Sequence, residues 1–347
     1  MSRRIAVVLF NLGGPDGPES VRPFLRNLFN DPAIIYAPWP VRPLIAELIS
    51  RTRGPKAKLE YAKMGGGSPI IPETERQADA LTAALKAASP DDEFACFLAM
   101  RYWHPFTEEA VREVKAWGAD EVILLPLYPQ FSTTTTGSSL KAWRDAGGGE
   151  ARTVCCYPLQ PDFVKAHADA IRTAWEEAGR PQNVRVLHSA HGLPEVTIAR
   201  GDPYRWQVEQ TVAAVTASLP EIADHITCFQ SKVGPLEWIK PSTEEVVEES
   251  AKEGRHIILS PIAFVSEHIE TLVELDEEYR LVAEEHGAAG YTRVPALGVA
   301  DGFIEALKSL TLDALDGPVG LKPPNGRPIC PAEFGRCPCR EAGLAGN

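Results

Sequence analysis

The sequence has no long apolar run and no long basic run, and each absence excludes a class of protein. A bilayer-spanning helix needs about 20 mostly apolar residues, and no apolar run in the 347 residues approaches that length. The formal net charge is −12, with no cluster of lysine and arginine to offset it. Such a charge repels phosphate backbones, so nucleic acid is excluded as a partner.

The amino-terminal residues do not have the pattern expected of a targeting segment. Met1-Ser-Arg-Arg leads directly into a short apolar strand, with no cleavage site behind it. The composition, with 44% hydrophobic and 24% charged residues, is that of an ordinary globular protein. We therefore expect a cytoplasmic protein, with peripheral contact at the inner face of the plasma membrane as the alternative.

Cysteine is scarce, and three of the seven residues lie close together near the carboxyl terminus. A reducing compartment disfavours disulfides, so clustered thiols indicate metal or redox chemistry. Zinc sites usually contain C-x₂₋₄-C pairs, which this segment lacks, whereas an irregular loop with three thiolates suits an iron–sulfur cluster completed by a distant fourth cysteine. The clustered residues are Cys330, Cys337 and Cys339, and the others are Cys96, Cys155, Cys156 and Cys228.

Short apolar, β-branched runs alternate with helical patterns along the chain. This alternation predicts an α/β protein with two similar doubly wound domains, whose parallel sheets are flanked by helices. We predict domains over residues 1–165 and 166–315 and a cysteine-containing tail over 316–347. The predicted strands are 5–11, 94–100, 121–127, 184–189 and 256–263, and the predicted helices are 21–29, 74–88, 107–117, 161–178, 207–219 and 242–253.

An acidic segment follows the last of these strands. Glu270, Glu274 and Glu278 are spaced at i, i+4 and i+8, which places three carboxylates on one helical face, and π geometry would align them more closely. Because stacked like charges repel, this ladder indicates a use such as binding a cation or moving protons. A solvated acidic face is the alternative.

A histidine stands at a second strand end. His191 follows the strand 184–189 and precedes Gly192 and Pro194, which favour a turn. Active sites of doubly wound folds gather at the carboxyl ends of strands. If this strand and strand 256–263 are neighbours, an imidazole faces a carboxylate of the ladder. A capped structural histidine is the alternative interpretation.

Eight stretches in a fixed order make the sequence resemble a ferrochelatase, the enzyme that inserts ferrous iron into a porphyrin in the last step of haem synthesis. Together they cover nearly the whole chain. They are LFNLGGP (9–15), YAKMGGGSPI (61–70), RYWHP (101–105), LYPQFSTTTTGSS (127–139), HSAHGLP (188–194), RGDPY (200–204), QSKVGPLEW (230–238) and SEHIETLVELDEEY (266–279).

The resemblance implies roles for particular residues and a porphyrin cleft between the two domains. His191 matches the histidine of the metal-insertion site, Glu270 matches the carboxylate facing it, and the rest of the ladder matches the acidic residues leading away. Glu267 stands where relatives often carry Asp, a change that preserves the charge. The residues that the resemblance implies at the porphyrin cleft are Tyr61, Arg101, Tyr102, Trp238 and Phe264.

The chemistry of metallation supports these roles. Inserting Fe²⁺ displaces two pyrrole protons and replaces the metal's water shell with four nitrogens, so the site needs a proton acceptor and a labile metal path. Imidazole and carboxylate can each bind Fe²⁺ or take a proton near neutral pH. Our hypothesis is that His191 accepts the protons and that Glu270, Glu274 and Glu278 conduct protons or metal. In the alternative, His191 and Glu270 bind the iron and the lower carboxylates only export protons.

Some ferrochelatases carry a 2Fe–2S cluster on carboxyl-terminal cysteines and one internal cysteine, and this chain resembles them. Vertebrate members place the internal ligand in the Y-P-Q-x-S stretch, where this chain has Thr133. The fourth ligand therefore lies elsewhere. We predict Cys156 with Cys330, Cys337 and Cys339, and Cys155 as the alternative, because alternating side chains allow only one of the two adjacent cysteines to face a cluster.

The implied activity is that of a lyase-class chelatase acting on protoporphyrin IX and Fe²⁺. A coproporphyrin ferrochelatase or another tetrapyrrole chelatase is the alternative, and a non-enzymatic haem or iron–sulfur carrier is a third.

An apolar, proline-broken segment over 34–49 matches the family's lip beside the cleft and predicts either peripheral membrane contact or a lid packed on its own domain. Both a monomer and a homodimer are compatible with the sequence.

Overall fold

The computed structural model describes residues 2–232, 234–323 and 326–343. The chain forms two compact units, each with its own parallel sheet flanked by helices, which confirms the predicted fold class. The predicted domain boundaries at 165/166 and 315/316 remain predictions. By contact, unit 1 comprises Met1–Tyr128, Ser132–Cys155 and Leu307–Lys322, and unit 2 comprises Pro129–Phe131, Cys156–Ala306 and Pro323–Asn347.

The sheet of unit 1 has five parallel strands in the order β2-β1-β3-β4-β9. Its interior strand β1 is a continuous apolar run, as expected for a strand covered on both faces, and residues 5–10 have no exposed surface. The strands are β1 (Arg4–Asn11), β2 (Glu93–Met100), β3 (Glu121–Pro126), β4 (Arg152–Val154) and β9 (Gly320–Lys322), and the helices are α1 (Val21–Phe29), α2 (Val41–Ala62), α3 (Ile70–Ala88), α4 (Thr107–Trp117) and α5 (Thr136–Asp145).

The sheet of unit 2 has four parallel strands in the order β6-β5-β7-β8. Leu187, Leu259 and Leu275 share a buried apolar cluster on one face of this sheet. The strands are β5 (Val184–His191), β6 (His225–Gln230), β7 (His256–Pro261) and β8 (Gly290–Arg293), and the helices are α6 (Pro161–Glu177), α7 (Glu195–Ala199), α8 (Tyr204–Ala217), α9 (Thr243–Lys252), the π-helix (Glu270–Glu278), α10 (Tyr279–Glu285) and α12 (Pro338–Glu341). Helix α11 (Asp301–Leu315) begins in unit 2 and ends in unit 1.

Several elements differ in extent from the predictions. Strand β5 continues to His191, so the histidine closes the strand instead of following it. The segment 34–49 is only partly irregular, since α2 begins at Val41 and continues past Pro55. Strands β4, β8 and β9 are three or four residues long, too short for an alternating pattern to indicate them. In the described residues, no helix is long and apolar enough to cross a membrane.

Candidate active site

Two strand ends and the π-helix bring the proposed catalytic residues of unit 2 together. Strands β5 and β7 are paired neighbours, as the sequence-based hypothesis required. His191 is the last residue of β5, and its Nδ1 lies 2.6 Å from the carbonyl oxygen of Gly192. Because a carbonyl only accepts, Nδ1 carries the hydrogen and donates it. The neutral ring therefore has its lone pair on Nε2, which lies 3.6 Å from Glu270 Oε1.

Glu270 is the first residue of the π-helix and lies between two imidazoles. Its Oε2 is 3.8 Å from His268 Nε2, within ion-pair range but too long for a hydrogen bond. No described residue hydrogen-bonds this oxygen. Burial by itself raises the pKa of the Glu270 carboxyl, but the charges of His191 and His268 outweigh burial and lower the pKa. The carboxylate is thus held ionised, with one oxygen lacking a hydrogen-bond donor.

His268 is a site residue that the sequence reasoning missed. It lies within the S-E-H-I-E stretch used for the resemblance, and that two-residue spacing from Glu270 was the available signal. Its ring is buried, and Nδ1 lies 3.0 Å from the carbonyl oxygen of Ser266, which orients Nε2 toward Glu270. Burial lowers the pKa of His268, yet the carboxylate of Glu270 raises it further, so the net shift is upward.

Two predicted aromatic residues adjoin these imidazoles. The Trp238 ring lies 6.2 Å from the His191 ring, and the Phe264 ring lies 4.6 Å from the His268 ring, both tilted. Each retains partial exposure. The structure thus brings Trp238 and Phe264 to the His191–Glu270 pair, where flat apolar surfaces suit an aromatic macrocycle.

The three carboxylates of the ladder have different surroundings. Glu274 accepts four hydrogen bonds, from Ser231 N–H (2.9 Å), Ser231 Oγ (2.6 Å), Gln230 Nε2 (3.1 Å) and Tyr279 OH (2.8 Å). Glu278, at the end of the π-helix, is exposed. The ladder therefore runs from a partly buried carboxylate between imidazoles, through a fully hydrogen-bonded one, to the surface.

The other predicted porphyrin-binding residues belong to unit 1. Arg101 forms an ion pair with the buried Asp31 at 2.8 Å and donates to Ser138 Oγ at 2.6 Å. Tyr102 is 1% exposed and donates its hydroxyl to Asp31 at 2.9 Å, while Tyr61 is 5% exposed. Asp31 thus fixes the Arg101 guanidinium in place. Tyr61 and Tyr102 have almost no surface of their own to offer a ligand.

Four of the predicted cluster ligands share unit 2. Gln207 donates from Nε2 to Cys156 Sγ at 3.4 Å and to Cys330 Sγ at 3.2 Å. Hydrogen bonds from Cys330 and then Cys339 lower the pKa of the Cys337 thiol. Cys155 belongs to unit 1, and none of the seven cysteines, all of which lie in the described part of the chain, forms a disulfide.

The thiols suit an iron–sulfur cluster in kind and number, since the four cysteines are buried and two of their sulfurs meet at the Gln207 amide. Their arrangement does not itself form a metal site. Across residues 2–232, 234–323 and 326–343, no group of three or more His, Cys, Asp or Glu side chains is arranged to hold a metal ion.

Comparison with known proteins places the chain in a family. The family model described as Ferrochelatase matches residues 4–315. Two relatives named Ferrochelatase are 59% identical, from Hyphomonas neptunium, and 56% identical, from Caulobacter vibrioides. The first alignment covers 98% of this chain and 96% of the relative, and the second covers 99% and 100%.

Solved structures with low sequence identity share the fold. SirB from Bacillus subtilis with Fe³⁺ has a TM-score of 0.50 and 14% identity, covering 90% of this chain and 96% of its own. CbiX, the terminal enzyme for biosynthesis of siroheme in denitrifying bacteria, has a TM-score of 0.51 and 16% identity, covering 90% and 100%. At these identities the likeness concerns the fold alone.

Proposed function

The chain belongs to the ferrochelatase family, and we propose that it inserts Fe²⁺ into protoporphyrin IX, forming protohaem and releasing two protons, as a lyase-class chelatase. The observation that carries this proposal is the separation of 3.6 Å between His191 Nε2 and Glu270 Oε1, with His191 Nδ1 donating to the Gly192 carbonyl. A group that removes pyrrole protons must be unprotonated at the nitrogen that meets the substrate.

His191 accepts the two pyrrole protons one after the other in the proposed mechanism, and passes the first to Glu270 before Nε2 takes the second. Each N–H bond that breaks leaves its electron pair on the pyrrole nitrogen, and the two pairs bind the incoming Fe²⁺. Glu270 stabilises the imidazolium that forms on His191, because a negative charge at this distance favours the protonated ring. His268 lies on the other side of Glu270, with its Nε2 3.8 Å from Oε2, and a positive charge there favours the ionised carboxylate.

The first location of the iron is the second part of the proposal. Imidazole nitrogen and carboxylate oxygen are both ligands of ferrous iron. Glu270 Oε2 has no hydrogen-bond donor among the described residues, so it is suited to an incoming cation. We retain the alternative in which His191 and Glu270 bind Fe²⁺ before the porphyrin nitrogens replace them.

Porphyrin binding is assigned to aromatic surfaces and to one cation. Trp238 and Phe264 would contact the macrocycle beside His191 and His268. Arg101 would bind a propionate. Because its ion pair with Asp31 already fixes the guanidinium, binding the propionate would cost no further rotamer freedom of the side chain. Tyr61 and Tyr102, which are buried, would support the porphyrin-binding surface of unit 1 from beneath instead of touching the ligand.

One assay separates the candidate functions. Purified protein is mixed anaerobically with Fe²⁺ and either protoporphyrin IX or coproporphyrin, and loss of free-base porphyrin fluorescence is followed with time. Faster metallation of protoporphyrin supports the proposal, while preference for coproporphyrin supports the alternative chelatase. Porphyrin binding without metallation in the wild-type protein would indicate a carrier and contradict the proposed activity.

A 2Fe–2S cluster on Cys156, Cys330, Cys337 and Cys339 is the proposed cofactor. Support comes from the thiol contacts, the amide of Gln207 that reaches two of the sulfurs, and the separation of Cys155 into the other unit. The cluster would cross-link the carboxyl-terminal segment to Cys156 in the loop after β4, beside Gln207 of helix α8.

The visible spectrum of anaerobically purified protein tests the cluster. Charge-transfer bands should be present, and Cys337→Ser and Cys156→Ser should abolish them. Cys155→Ser and Cys96→Ser are the matched controls and should leave the bands unchanged. Bands that persist in Cys156→Ser and vanish in Cys155→Ser would reverse the assignment of the fourth ligand.

Peripheral membrane contact is proposed for the predicted segment 34–49 and for the rest of helix α2, which continues its exposed surface. Trp39, Leu44, Leu48 and Leu59 are 78%, 70%, 63% and 72% exposed, and the last three lie on one face of α2. Five cations on this helix in an acidic protein suit anionic headgroups. They are Arg42, Arg51, Arg53, Lys56 and Lys58.

Co-sedimentation with vesicles tests this contact. Binding should increase with the fraction of anionic lipid and fall with salt, because the attraction is partly electrostatic. Leu44→Ser with Leu48→Ser should weaken it, whereas Leu281→Ser, an equally exposed leucine in unit 2, should not. Equal sedimentation of all variants would contradict the proposal.

A further inference from the structure

Glu274 is the most completely hydrogen-bonded carboxylate of the ladder. Oε1 accepts from the Ser231 N–H and the Tyr279 hydroxyl, and Oε2 accepts from the Ser231 hydroxyl and the Gln230 amide. All four donors are uncharged. A carboxylate that carried a proton or a metal ion would have to release some of these donors in every turnover, and donors left unpaired in a partly buried site are unfavourable.

Those donors connect Glu274 to the strand that carries His191. Gln230 ends strand β6, and its Oε1 accepts a hydrogen bond from Ser189 Oγ at 2.8 Å. Ser189 lies two residues before His191 on β5, so the two side chains share a face of the sheet. The carbonyl of Gln230 also accepts the Gly192 N–H at 2.8 Å. One glutamine therefore links both sides of His191 to the middle of the π-helix.

Close packing reinforces this link. A Cβ on Gly192 would lie 2.8 Å from the Gln230 carbonyl oxygen and 3.1 Å from the Trp238 ring, so only glycine fits at this close approach of the two chain segments. Ser231 adopts a φ of 67°, a left-handed conformation that is rare for a residue with a side chain. Both its N–H and its hydroxyl are held by Glu274 in this conformation.

The far side of the π-helix has a separate anchor on strand β8. Arg293 pairs with Glu267 at 2.8 Å and with Asp276 at 3.3 Å, on either side of Glu270 in the chain. The Tyr291 hydroxyl donates to the carbonyl of Leu275. With Glu274 holding the helix to β6 and these residues holding it to β8, the π-helix is fixed at both edge strands of the four-stranded sheet.

We propose that Glu274 is a positioning residue that locks the π-helix to the ends of β5 and β6 through Gln230 and Ser231, and so sets the separation of His191 and Glu270. This inference rests on the proposed function of that pair. It assigns movement of protons or metal to Glu270 and to the exposed Glu278, and removes Glu274 from the conducting path.

Comparison of Glu274→Gln with Glu274→Ala distinguishes two roles for Glu274: holding the π-helix in place (a lock), or carrying protons or metal itself (a carrier). In Glu274→Gln, the new side-chain oxygen can accept from Ser231 N–H and Tyr279 OH, and its NH₂ group can donate one hydrogen to Ser231 Oγ. If the Gln230 amide rotates by 180°, its oxygen can accept the second hydrogen of that NH₂ group while its own NH₂ group donates to Ser189 Oγ. A lock therefore predicts a kcat within about threefold of wild type for Glu274→Gln. Glu274→Ala should lower kcat by about tenfold or more, with the porphyrin KM nearly unchanged.

Ser231→Ala provides the second variant, because it leaves the Glu274 carboxylate in place and removes one donor. A lock predicts a fall in kcat in the same direction as in Glu274→Ala, whereas a carrier predicts none. Glu284→Ala, an exposed carboxylate on α10, is the matched control and should retain wild-type kcat. Equal loss in Glu274→Gln and Glu274→Ala, with full activity in Ser231→Ala, would overturn the proposal.

A stability measurement separates failure of this inference from failure of the proposed function. Urea unfolding of the wild type, Glu274→Ala, Ser231→Ala and the double variant forms a cycle that needs no catalytic activity. A lock predicts a double-variant effect smaller than the sum of the single effects. Strict additivity contradicts the lock even if the enzyme is active, while coupling without any metallation leaves the lock intact and contradicts the function.

Discussion

The two faces of strand β5 present histidines in opposite surroundings. His191 on one face lies beside Glu270, which in turn lies beside His268. His188, three residues earlier, is on the other face, where it meets His225 and lies near His167, with no carboxylate partner. One strand thus carries an imidazole with a carboxylate partner and an imidazole whose partner is another imidazole.

The directions of the hydrogen bonds determine which ring nitrogens of His188 and His225 carry hydrogen. The His225 Nε2 lies 2.9 Å from the carbonyl of Ile222, so it donates, and its Nδ1 accepts from His188 Nε2 at 3.0 Å. His188 Nδ1 and His167 Nε2 have no hydrogen-bond partner among the described residues. Burial lowers the pKa of all three rings, that of His167 to about 3.

The difference shows that burial alone does not determine what a histidine can do. His268 is buried as deeply as His188, yet its pKa is raised because Glu270 is adjacent. His188 and His167 stay neutral because nothing negative compensates the loss of water. A buried imidazole with a carboxylate can exchange protons near neutral pH, whereas one without serves as a polar core residue.

The largest expected effect is that of His191→Ala. Removing a general base typically lowers the rate by about 10² to 10⁴, so kcat for Fe²⁺ insertion should fall by at least about 10², with porphyrin binding retained. His286→Ala is the matched control, because His286 forms a comparable contact with Glu248 at 3.5 Å on the surface. Activity of His191→Ala close to that of the control would remove the functional contrast between the faces.

Glu270→Gln should have the next largest effect. Its amide cannot stabilise an imidazolium, so we expect kcat to fall by about tenfold to 10². Without the carboxylate, burial acts alone on His268 and its pKa should drop, which an NMR titration of the ring protons measures. A pKa of His268 that stays raised in this variant would show that Glu270 is not the cause.

The smallest expected effect is on folding stability at acid pH. It comes from His167, which lies near His188 on the face of strand β5 opposite His191. Because the pKa of His167 falls from its ordinary 6.5 to about 3 on folding, the unfolded chain binds the proton first as pH drops. Stability is therefore present above pH 6.5 and is lost below it by about 1.4 kcal/mol per pH unit for this group. His167→Leu should flatten the fall in unfolding free energy between pH 6.5 and about 5, measured by urea unfolding.

Activity provides the control for that measurement. At pH 7.5, His167→Leu should retain wild-type kcat, since the residue lies on helix α6 and takes no part in the site. An unchanged pH slope would mean that His167 titrates normally in the folded protein, and the contrast between the two faces would then rest on His188 alone.

Much of the fold could be predicted because its signals are local. The buried run of β1 reads as a parallel strand without reference to any neighbour, and the α1 and α4 patterns predicted both helices at their observed bounds. The short strands β4 and β9 could not be found, because three residues carry no period and the two strands pair across more than 160 positions of sequence.

The site was predictable only where a residue's role follows from its type and motif. Membership in the ferrochelatase family, expected from eight stretches of sequence, is confirmed by the family match. The roles of His191 and Glu270 remain predictions supported by their separation. His268, Asp31 and Gln207 were missed because their roles depend on contacts that exist only after folding. Asp31 and Gln207 contact partners that are distant in sequence. His268 is close to Glu270 in sequence, but its residue type alone does not show that the two side chains meet.

The sequence by itself determined the α/β alternation, the acidic ladder with its four-residue spacing and the small set of thiols near the carboxyl terminus, because these depend on composition and on periods of a few residues. Only the tertiary structure decided that the three ladder carboxylates are unequal. Glu270 meets two imidazoles, Glu274 meets four neutral donors and Glu278 is exposed, since the strands and loops that pack against the π-helix supply different partners along its length.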